Sequence, residues 1–322
     1  MEIREPVDER AGKTILGAVG PELAQLVVVG LWASTFIVTK AAFAEVSPLA
    51  FAFVRFALMT ALAFGVLAAR GRKGGARIAP RRHDLPRFVM AGLAGYTVYQ
   101  LGFVLGLEHT SPFSSSLLIA MVPLFTLVFL AARGERTAPR GWLGLAIALA
   151  GVIVFLADQW GRGGSGDLLG DALSVMAAVS FAIYGIVNRP LVRDYPPETY
   201  TAYTLLAGSL PLMAIATPAA LAQDWGAISA AGWLGIVYMV VLPVYVAYML
   251  WNWAIARRGA AAATSFSLLV PIASGLLSAW LFGERFGALK LLGAALALAG
   301  LAIIRAPARA RAEPVESIPS HE

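Results

Sequence analysis

The sequence predicts an all-α integral membrane protein made of two copies of a five-helix unit, and three observations predict it. First, 59% of the 322 residues are hydrophobic and 14% are charged, whereas a soluble domain carries about a quarter charged residues. Second, apolar stretches long enough to cross a bilayer, about 20 residues each, recur along the chain. Third, the segment that begins at Gly134 is repeated from Gly283, 149 residues later.

The repeated segments share more than their apolar composition. Both open with Gly-Glu-Arg, and both place glycines at matching positions, Gly144 with Gly293 and Gly151 with Gly300. Two unrelated apolar helices would share alanines and leucines by chance, but not this opening together with both glycines. The same offset relates residues upstream, so the chain is predicted to be duplicated from about residue 23 to residue 305.

Ten membrane spans are predicted, five in each unit. They run over residues 23–43, 48–69, 86–107, 112–132, 141–158, 168–188, 199–219, 230–256, 260–282 and 287–305. Barrel strands are excluded because they are about 10 residues long and alternate in polarity. The organisation that follows is an N-terminal segment 1–22, a first unit 23–158, a second unit 168–305, and a polar, proline-rich tail 306–322 that we expect to be disordered.

The positive charges predict how the units sit in the membrane. Of the 25 lysines and arginines, 20 lie on one side of the ten spans, 4 lie on the other side, and Arg55 lies within span two. Cytoplasmic loops carry such an excess, so both termini are predicted to be cytoplasmic. Because each unit has an odd number of spans, the two units insert with opposite orientations. Inverted repeats of this kind are typical of secondary transporters that work by alternating access around a midplane site.

Several kinds of chemistry are not expected. The chain has no cysteine, no GxxxxGK[ST] phosphate loop and only isolated histidines, so we expect no disulfide, no ATP-driven pumping within this chain, no metal and no cofactor. All 19 acidic residues fall in loops or at span ends. Transporters driven by protons or sodium usually keep an ionisable group inside the bundle. We therefore expect transport down the substrate gradient.

Aromatic and polar residues recur at helical spacing in spans three and eight. The i, i+3, i+4, i+7 spacing places four such residues of span three on one face, and span eight repeats the pattern. A tyrosine hydroxyl that faced hydrocarbon would lack a partner, although Tyr and Trp also form belts at the membrane interface. We predict an aromatic-lined, partly hydrated cavity. Its candidate substrate-binding residues are Trp32, Thr35, Tyr96, Tyr99, Gln100, Phe103, Tyr184, Tyr245, Tyr248 and Asn252.

Two cations in the first unit have alternative interpretations. Arg55 lies seven residues after Pro48 in span two. It either has a structural role, reaching the interface or bonding backbone carbonyls, or faces the cavity and meets a carboxylate or a gate partner. Lys40, at the end of span one, is expected to anchor the helix at the interface.

Three blocks of the sequence carry a family resemblance. They are Trp32-Ala-Ser-Thr-Phe-x-x-x-Lys40, then Pro48-x6-Arg55, and then the Gly-Glu-Arg block with the preceding Pro123 or, in its copy, Pro271. These blocks resemble the ten-span EamA-type members of the drug/metabolite transporter superfamily, including bacterial exporters of aromatic and other amino acids. The resemblance implies an inner-membrane transporter in which spans 1, 3, 4, 6, 8 and 9 surround a cavity and spans 5 and 10 pack peripherally.

The function expected from these observations is export or uniport of amino acids or similar small metabolites across a bacterial inner membrane. One alternative is an exporter of amphipathic drugs or other metabolites. Another is a membrane scaffold or enzyme without transport, which is disfavoured because the spans show no convergent acid, base, nucleophile or metal. The expected partners are a small-molecule substrate and the lipid bilayer, not nucleic acid. The glycines of spans five and ten fit either a homodimer face or contacts within a monomer.

Overall fold

The computed structural model describes residues 7–71, 79–135, 137–160, 165–258 and 266–305. Within these ranges the chain folds into helices joined by short connections, with no strand.

The helices of the first unit are α1 (Val7–Ala42), α2 (Pro48–Gly71), α3 (Leu85–Gly92), α4 (Tyr99–His109), α5 (Pro112–Ile119), α6 (Val122–Ala132) and α7 (Pro139–Trp160). Those of the second unit are α8 (Ser165–Val187), α9 (Arg189–Asp194), α10 (Pro197–Ala222), α11 (Ala230–Val241), α12 (Ala247–Arg258), α13 (Leu269–Phe282) and α14 (Ala288–Arg305). Span three joins α3 to α4 through π-helical Leu93–Val98, and span eight joins α11 to α12 through π-helical Leu242–Val246.

Span four is broken into two helices near its middle. Helix α5 ends at Ile119, and α6 begins at Val122 with Pro123 in its first turn. Proline has no N–H to donate and its ring clashes with the preceding turn, so the break follows from the sequence.

Nine helices in the described part of the chain are long and apolar enough to cross a membrane. The predicted ninth span, 260–282, is represented by the 14 residues of α13, because residues 259–265 lie outside the described ranges. An all-helical membrane protein is therefore confirmed, and the tenth span stays a prediction.

The helices of the two units pack against each other in equivalent pairs, so the pattern stays the same when the units are exchanged. The first span of each unit packs against the third span of the other, α1 on α12 and α8 on α4. Each first span also packs on the fourth span of the other unit, α1 on α13 and α8 on α5 and α6. Equivalent helices face each other in the pairs α2–α10 and α7–α14. This is the arrangement that a two-fold axis between the units would produce.

The repeated glycines form the seam between α7 and α14. A Cβ at Gly144 would lie 2.7 Å from the carbonyl oxygen of Gly300, and a Cβ at Gly151 would lie 2.8 Å from that of Gly293. Gly144 thus contacts the repeat equivalent of Gly151, and Gly151 contacts the repeat equivalent of Gly144, as a two-fold relation requires. Because these helices approach at backbone distance, these four glycines make contacts within one chain.

Candidate functional site

Spans three and eight each contain a π-helical segment at the same position in the repeat. Leu93–Val98 and Leu242–Val246 begin at equivalent residues, since 93 and 242 differ by the repeat offset of 149. A π turn interrupts the regular α-helical hydrogen bonding, and such turns concentrate at functional sites. The predicted faces of spans three and eight assume regular α-helical spacing and take no account of this interruption.

Each π segment is bonded to the first span of the opposite unit. The carbonyl oxygen of Ala94 accepts a hydrogen bond of 2.7 Å from Ser180 Oγ on α8. The carbonyl oxygen of Pro243 accepts one of 3.3 Å from Trp32 Nε1 on α1. Ala94 and Pro243 are equivalent in the repeat. The two units therefore meet at these two carbonyls, close to the candidate aromatic residues.

Span three brings two predicted tyrosines against span six. The ring of Tyr96 lies 5.8 Å from that of Tyr184, and the ring of Tyr99 lies 4.9 Å from that of Phe181, measured between centroids. Gly95 makes room for this wall, because a Cβ there would lie 2.7 Å from Tyr184 Cγ. Phe181 was not predicted, although it is the repeat equivalent of Trp32 and the offset would have found it.

Span eight supplies the opposite wall. Tyr248 and Trp251 pack against Trp32, with ring centroids 5.8 Å and 4.9 Å away. Tyr248 nevertheless keeps 48% of its surface exposed. A ring that packs on the other unit and still keeps half of its surface accessible is placed as the wall of a cavity would be.

The remaining predicted residues lie less centrally. Phe103 is buried against Phe36 of α1, 5.5 Å between centroids, and supports the wall from behind. The Thr35 hydroxyl donates to Leu31 O on its own helix at 3.1 Å. Tyr245 is partly buried within the π segment. Asn252 lies in α12, and its side chain is outside the described part of the structure.

Arg55 lies in α2 with only 7% of its surface exposed. Its guanidinium carbon is 5.9 Å from the centroid of the Phe56 ring, and it interacts electrostatically with Tyr99. Among the described residues, its Nε and Nη1 have no hydrogen-bond partner, so these two nitrogens do not bond backbone carbonyls. Gln100, 2% exposed, likewise has an Nε2 without a partner there.

Lys40 does more than anchor span one. Its Nζ donates to three carbonyl oxygens at the end of α4, those of Leu107 (2.7 Å), Glu108 (3.0 Å) and Thr110 (3.0 Å). The Thr110 hydroxyl in turn donates to Asp171 Oδ1 of α8 at 2.7 Å. Spans one, three and six are therefore tied together at this end of the bundle, which we call the Lys40 end. Backbone carbonyl partners have no signature in the sequence.

A buried ion pair away from the aromatic walls was also missed. Lys290 Nζ lies 3.0 Å from Glu284 Oε1, and Ser278 Oγ donates to the other carboxylate oxygen at 2.6 Å. Lys290 Nζ also lies 5.5 Å from the centroid of the Phe155 ring. The Glu of the second Gly-Glu-Arg block thus joins span nine to span ten. No group of three or more metal-ligating side chains occurs in the described ranges.

Residues 21–157 and 168–306 each match the model of the EamA-like transporter family. This chain belongs to that family. The resemblance drawn from the sequence blocks is confirmed.

The relatives of this EamA-like transporter are transporters by name. An uncharacterized transporter of Archaeoglobus fulgidus is 27% identical over 86% of this chain and 95% of its own. The inner membrane transporter YedA of Escherichia coli K12 is 29% identical over 81% and 82%. A probable terminal-alkyne amino-acid exporter of Streptantibioticus cattleyicolor is 31% identical over 70% and 74%. These findings identify the chain as a multi-pass inner-membrane transporter rather than an enzyme.

One solved crystal structure has the same fold. It superposes with a TM-score of 0.58 over 88% of this chain and 96% of that chain, at 21% sequence identity.

Proposed function

We propose that this EamA-like transporter exports amino acids or similar small metabolites by alternating access, running down the substrate gradient. One observation carries the proposal: Tyr96 and Tyr99 pack on span six, Tyr248 packs on Trp32 of the other unit, and both groups of rings lie on spans that contain equivalent π turns. A midplane site between repeats is where secondary transporters bind their substrates. The name of the Streptantibioticus relative, an amino-acid exporter, supports the substrate class.

The rings and the polar groups around them would bind different parts of the substrate. Tyr99 and Tyr248 would hold an apolar or aromatic side chain, and each buried ring contributes about 1–3 kcal/mol. Tyrosine hydroxyls and Gln100, whose Nε2 has no partner among the described residues, would hydrogen-bond the polar end of the substrate.

We further propose ten spans, with both termini in the cytoplasm and units 23–158 and 168–305 in opposite orientations. The charge distribution along the sequence supports the orientation. The pairing of α1 with α12 and of α8 with α4 supports the relation between the units. Segments 1–22 and 306–322 would then flank the membrane domain on the cytoplasmic side.

The two ends of the bundle differ, which supports alternating access. Lys40 ties spans one and three together at its end. Its repeat equivalent is Arg189, at the opposite end, where Arg189 Nη1 lies 3.8 Å from Glu135 Oε1. In the proposed cycle, the Lys40 contacts break while Arg189 forms equivalent contacts with the end of span eight.

The test is transport by the purified protein in liposomes. A panel of labelled amino acids is supplied on one side, and uptake is compared with that of empty liposomes. We expect flux of at least one apolar or aromatic amino acid. If no member of a broad panel moves faster than in empty liposomes, the proposed substrate class is wrong.

A further inference from the structure

Arg55 is a buried cation for which the described residues supply incomplete compensation. Two of its three guanidinium nitrogens lack a hydrogen-bond partner among the described residues, and only 7% of its surface is exposed. A buried charge without partners is strongly unfavourable, and ionisable groups inside the membrane are retained where they have a function. An acceptor from outside the chain would satisfy the two nitrogens that have no partner among the described residues.

The surroundings of Arg55 are aromatic and rich in donors. Its guanidinium carbon lies 5.9 Å from the centroid of the Phe56 ring on its own helix, and Tyr99 of span three interacts with it electrostatically. Gln100, next to Tyr99, contributes a further amide nitrogen without a partner. Within the described ranges, no carboxylate forms an ion pair with Arg55. The local groups thus offer hydrogen-bond donors and positive charge to an acceptor.

The charge belongs to one unit only. The repeat equivalent of Arg55 is Thr204 in α10, whose hydroxyl donates to Tyr200 O at 2.6 Å. A role in holding α2 against α10 would call for similar residues at both positions. A neutral, satisfied side chain in one unit and, in the other, a guanidinium with two nitrogens unpartnered among the described residues fit the binding of a single charged group.

We propose that Arg55 binds the carboxylate of the substrate, and that the preferred substrates are monoanions carrying an aromatic or apolar group. This inference rests on the proposed transport function and narrows its substrate class. Arginine suits the role because its planar guanidinium donates two parallel hydrogen bonds to a carboxylate.

The charge balance ranks three kinds of ligand. A monocarboxylate neutralises the guanidinium. A zwitterionic amino acid supplies the same carboxylate but adds an ammonium group, which faces aromatic rings and no described acid. An amine without a carboxylate adds a second positive charge beside Arg55, which is repulsive in a site of low dielectric. The expected order of affinity is carboxylate, then amino acid, then amine.

Two matched sets of compounds test this order. The aromatic set is 3-phenylpropionate, phenylalanine and phenethylamine, and the aliphatic set is 4-methylpentanoate, leucine and 3-methylbutylamine. Affinity is measured as thermal stabilisation of purified protein in detergent, and flux in liposomes. We expect Arg55→Gln to weaken binding of the better carboxylate at least tenfold, or about 1.4 kcal/mol. Binding of the amines should stay the same or improve.

A second measurement separates binding from a structural role. Without ligand, Arg55→Gln should unfold at a higher temperature than the wild type, because a buried unpaired charge has been removed. An arginine kept for structure would give the opposite shift. The control is the double variant Glu284→Gln with Lys290→Gln, which removes a buried ion pair far from the aromatic walls. It should preserve the ligand order of the wild type.

The outcomes are distinguishable. The proposed role of Arg55 is wrong if amines or amino acids bind the wild type as tightly as the carboxylates do. It is also wrong if the Arg55→Gln variant binds the carboxylates as tightly as the wild type does. Flux of amino acids would leave the proposed function standing in both cases. A wild type that neither binds nor transports any member of these sets or of the amino-acid panel overturns the proposed function itself.

Discussion

Replacing Gly293 by alanine probes the seam between α7 and α14. The new Cβ would lie 2.6 Å from Phe155 Cα and 2.7 Å from the Gly151 carbonyl oxygen, where ordinary contacts begin at 3.4 Å. Both neighbours are backbone atoms that cannot rotate away, so the helices must separate by several tenths of an ångström. Overpacking of this kind costs about 1–3 kcal/mol, and the higher helix propensity of alanine offsets up to about 1 kcal/mol. If the overpacking cost lies at the upper end of its range, the free energy of unfolding falls by about 2 kcal/mol.

The matched control is Gly65→Ala in α2. No atom lies within 4 Å of the position that its Cβ would take. Here only the helix-propensity gain of up to about 1 kcal/mol applies. The same chemical change should therefore have opposite signs at the two positions.

The assay is thermal unfolding of each purified variant in detergent, together with the fraction that elutes as a monodisperse species. For domains of 150–250 residues, 1 kcal/mol shifts the melting temperature by about 2–4 °C. Gly293→Ala should therefore melt several degrees below wild type and Gly65→Ala at or above it. Equal melting temperatures for the two variants would refute the close approach of α7 and α14.

Four further predictions follow from the site, the Lys40 end and the topology. Tyr99→Ala and Tyr248→Ala should each lower flux per folded molecule about tenfold, since a buried ring contributes about 1–3 kcal/mol, whereas Leu145→Ala in peripheral α7 should lower yield more than flux. Wild-type flux in both tyrosine variants would place the site elsewhere. Lys40→Met removes three hydrogen bonds from a charged donor, each worth about 1.5–3 kcal/mol before water replaces them. The chain has no cysteine, so a single cysteine introduced by Thr35→Cys can report whether this end is open. In the Lys40→Met background this cysteine should react about tenfold faster with a membrane-impermeant thiol reagent. Unchanged reactivity would mean that Lys40 does not hold this end closed. Reporters fused to the loop between spans two and three and to the C-terminus should both read cytoplasmic, and a periplasmic signal at either place contradicts the inverted repeat. Downhill flux should persist with an uncoupler present, and its abolition would reveal a proton carrier.

Much of the architecture can be predicted from local features of the sequence. Span length follows from the thickness of the bilayer, and the offset of 149 residues relates the units before any coordinate is known. The seam between Gly144 and Gly300 could be anticipated as a close contact because glycine permits backbone approach. Which chain supplies the partner helix was not evident, because the same glycines serve equally well within a chain or between chains.

The site was predicted less completely because its geometry depends on the opposite unit. The π turns of spans three and eight are bonded at Ala94 and Pro243 by Ser180 and Trp32, which are distant in the sequence. A period of 3.6 residues assumes a regular helix and does not describe the residues around such turns. Phe103, predicted on the same face as Tyr96 and Tyr99, is 2% exposed, and its ring stacks on that of Tyr99 at 6.3 Å and packs on that of Phe36 at 5.5 Å.

The departures from two-fold symmetry bear most directly on function. Helices α4 and α8 approach at backbone distance, because a Cβ at Gly102 would lie 2.7 Å from Leu173 O. The equivalent of Gly102 in span eight is Trp251, whose ring packs on that of Trp32 in α1 with 4.9 Å between centroids. Two helices in backbone contact have no side chain between them that can adjust when they slide, whereas two helices that meet through indole rings have side chains that can repack. We therefore infer that α12 moves relative to α1 more readily than α4 moves relative to α8. Access to the aromatic walls would then change first on the side of span eight, where Tyr248 already keeps half of its surface exposed.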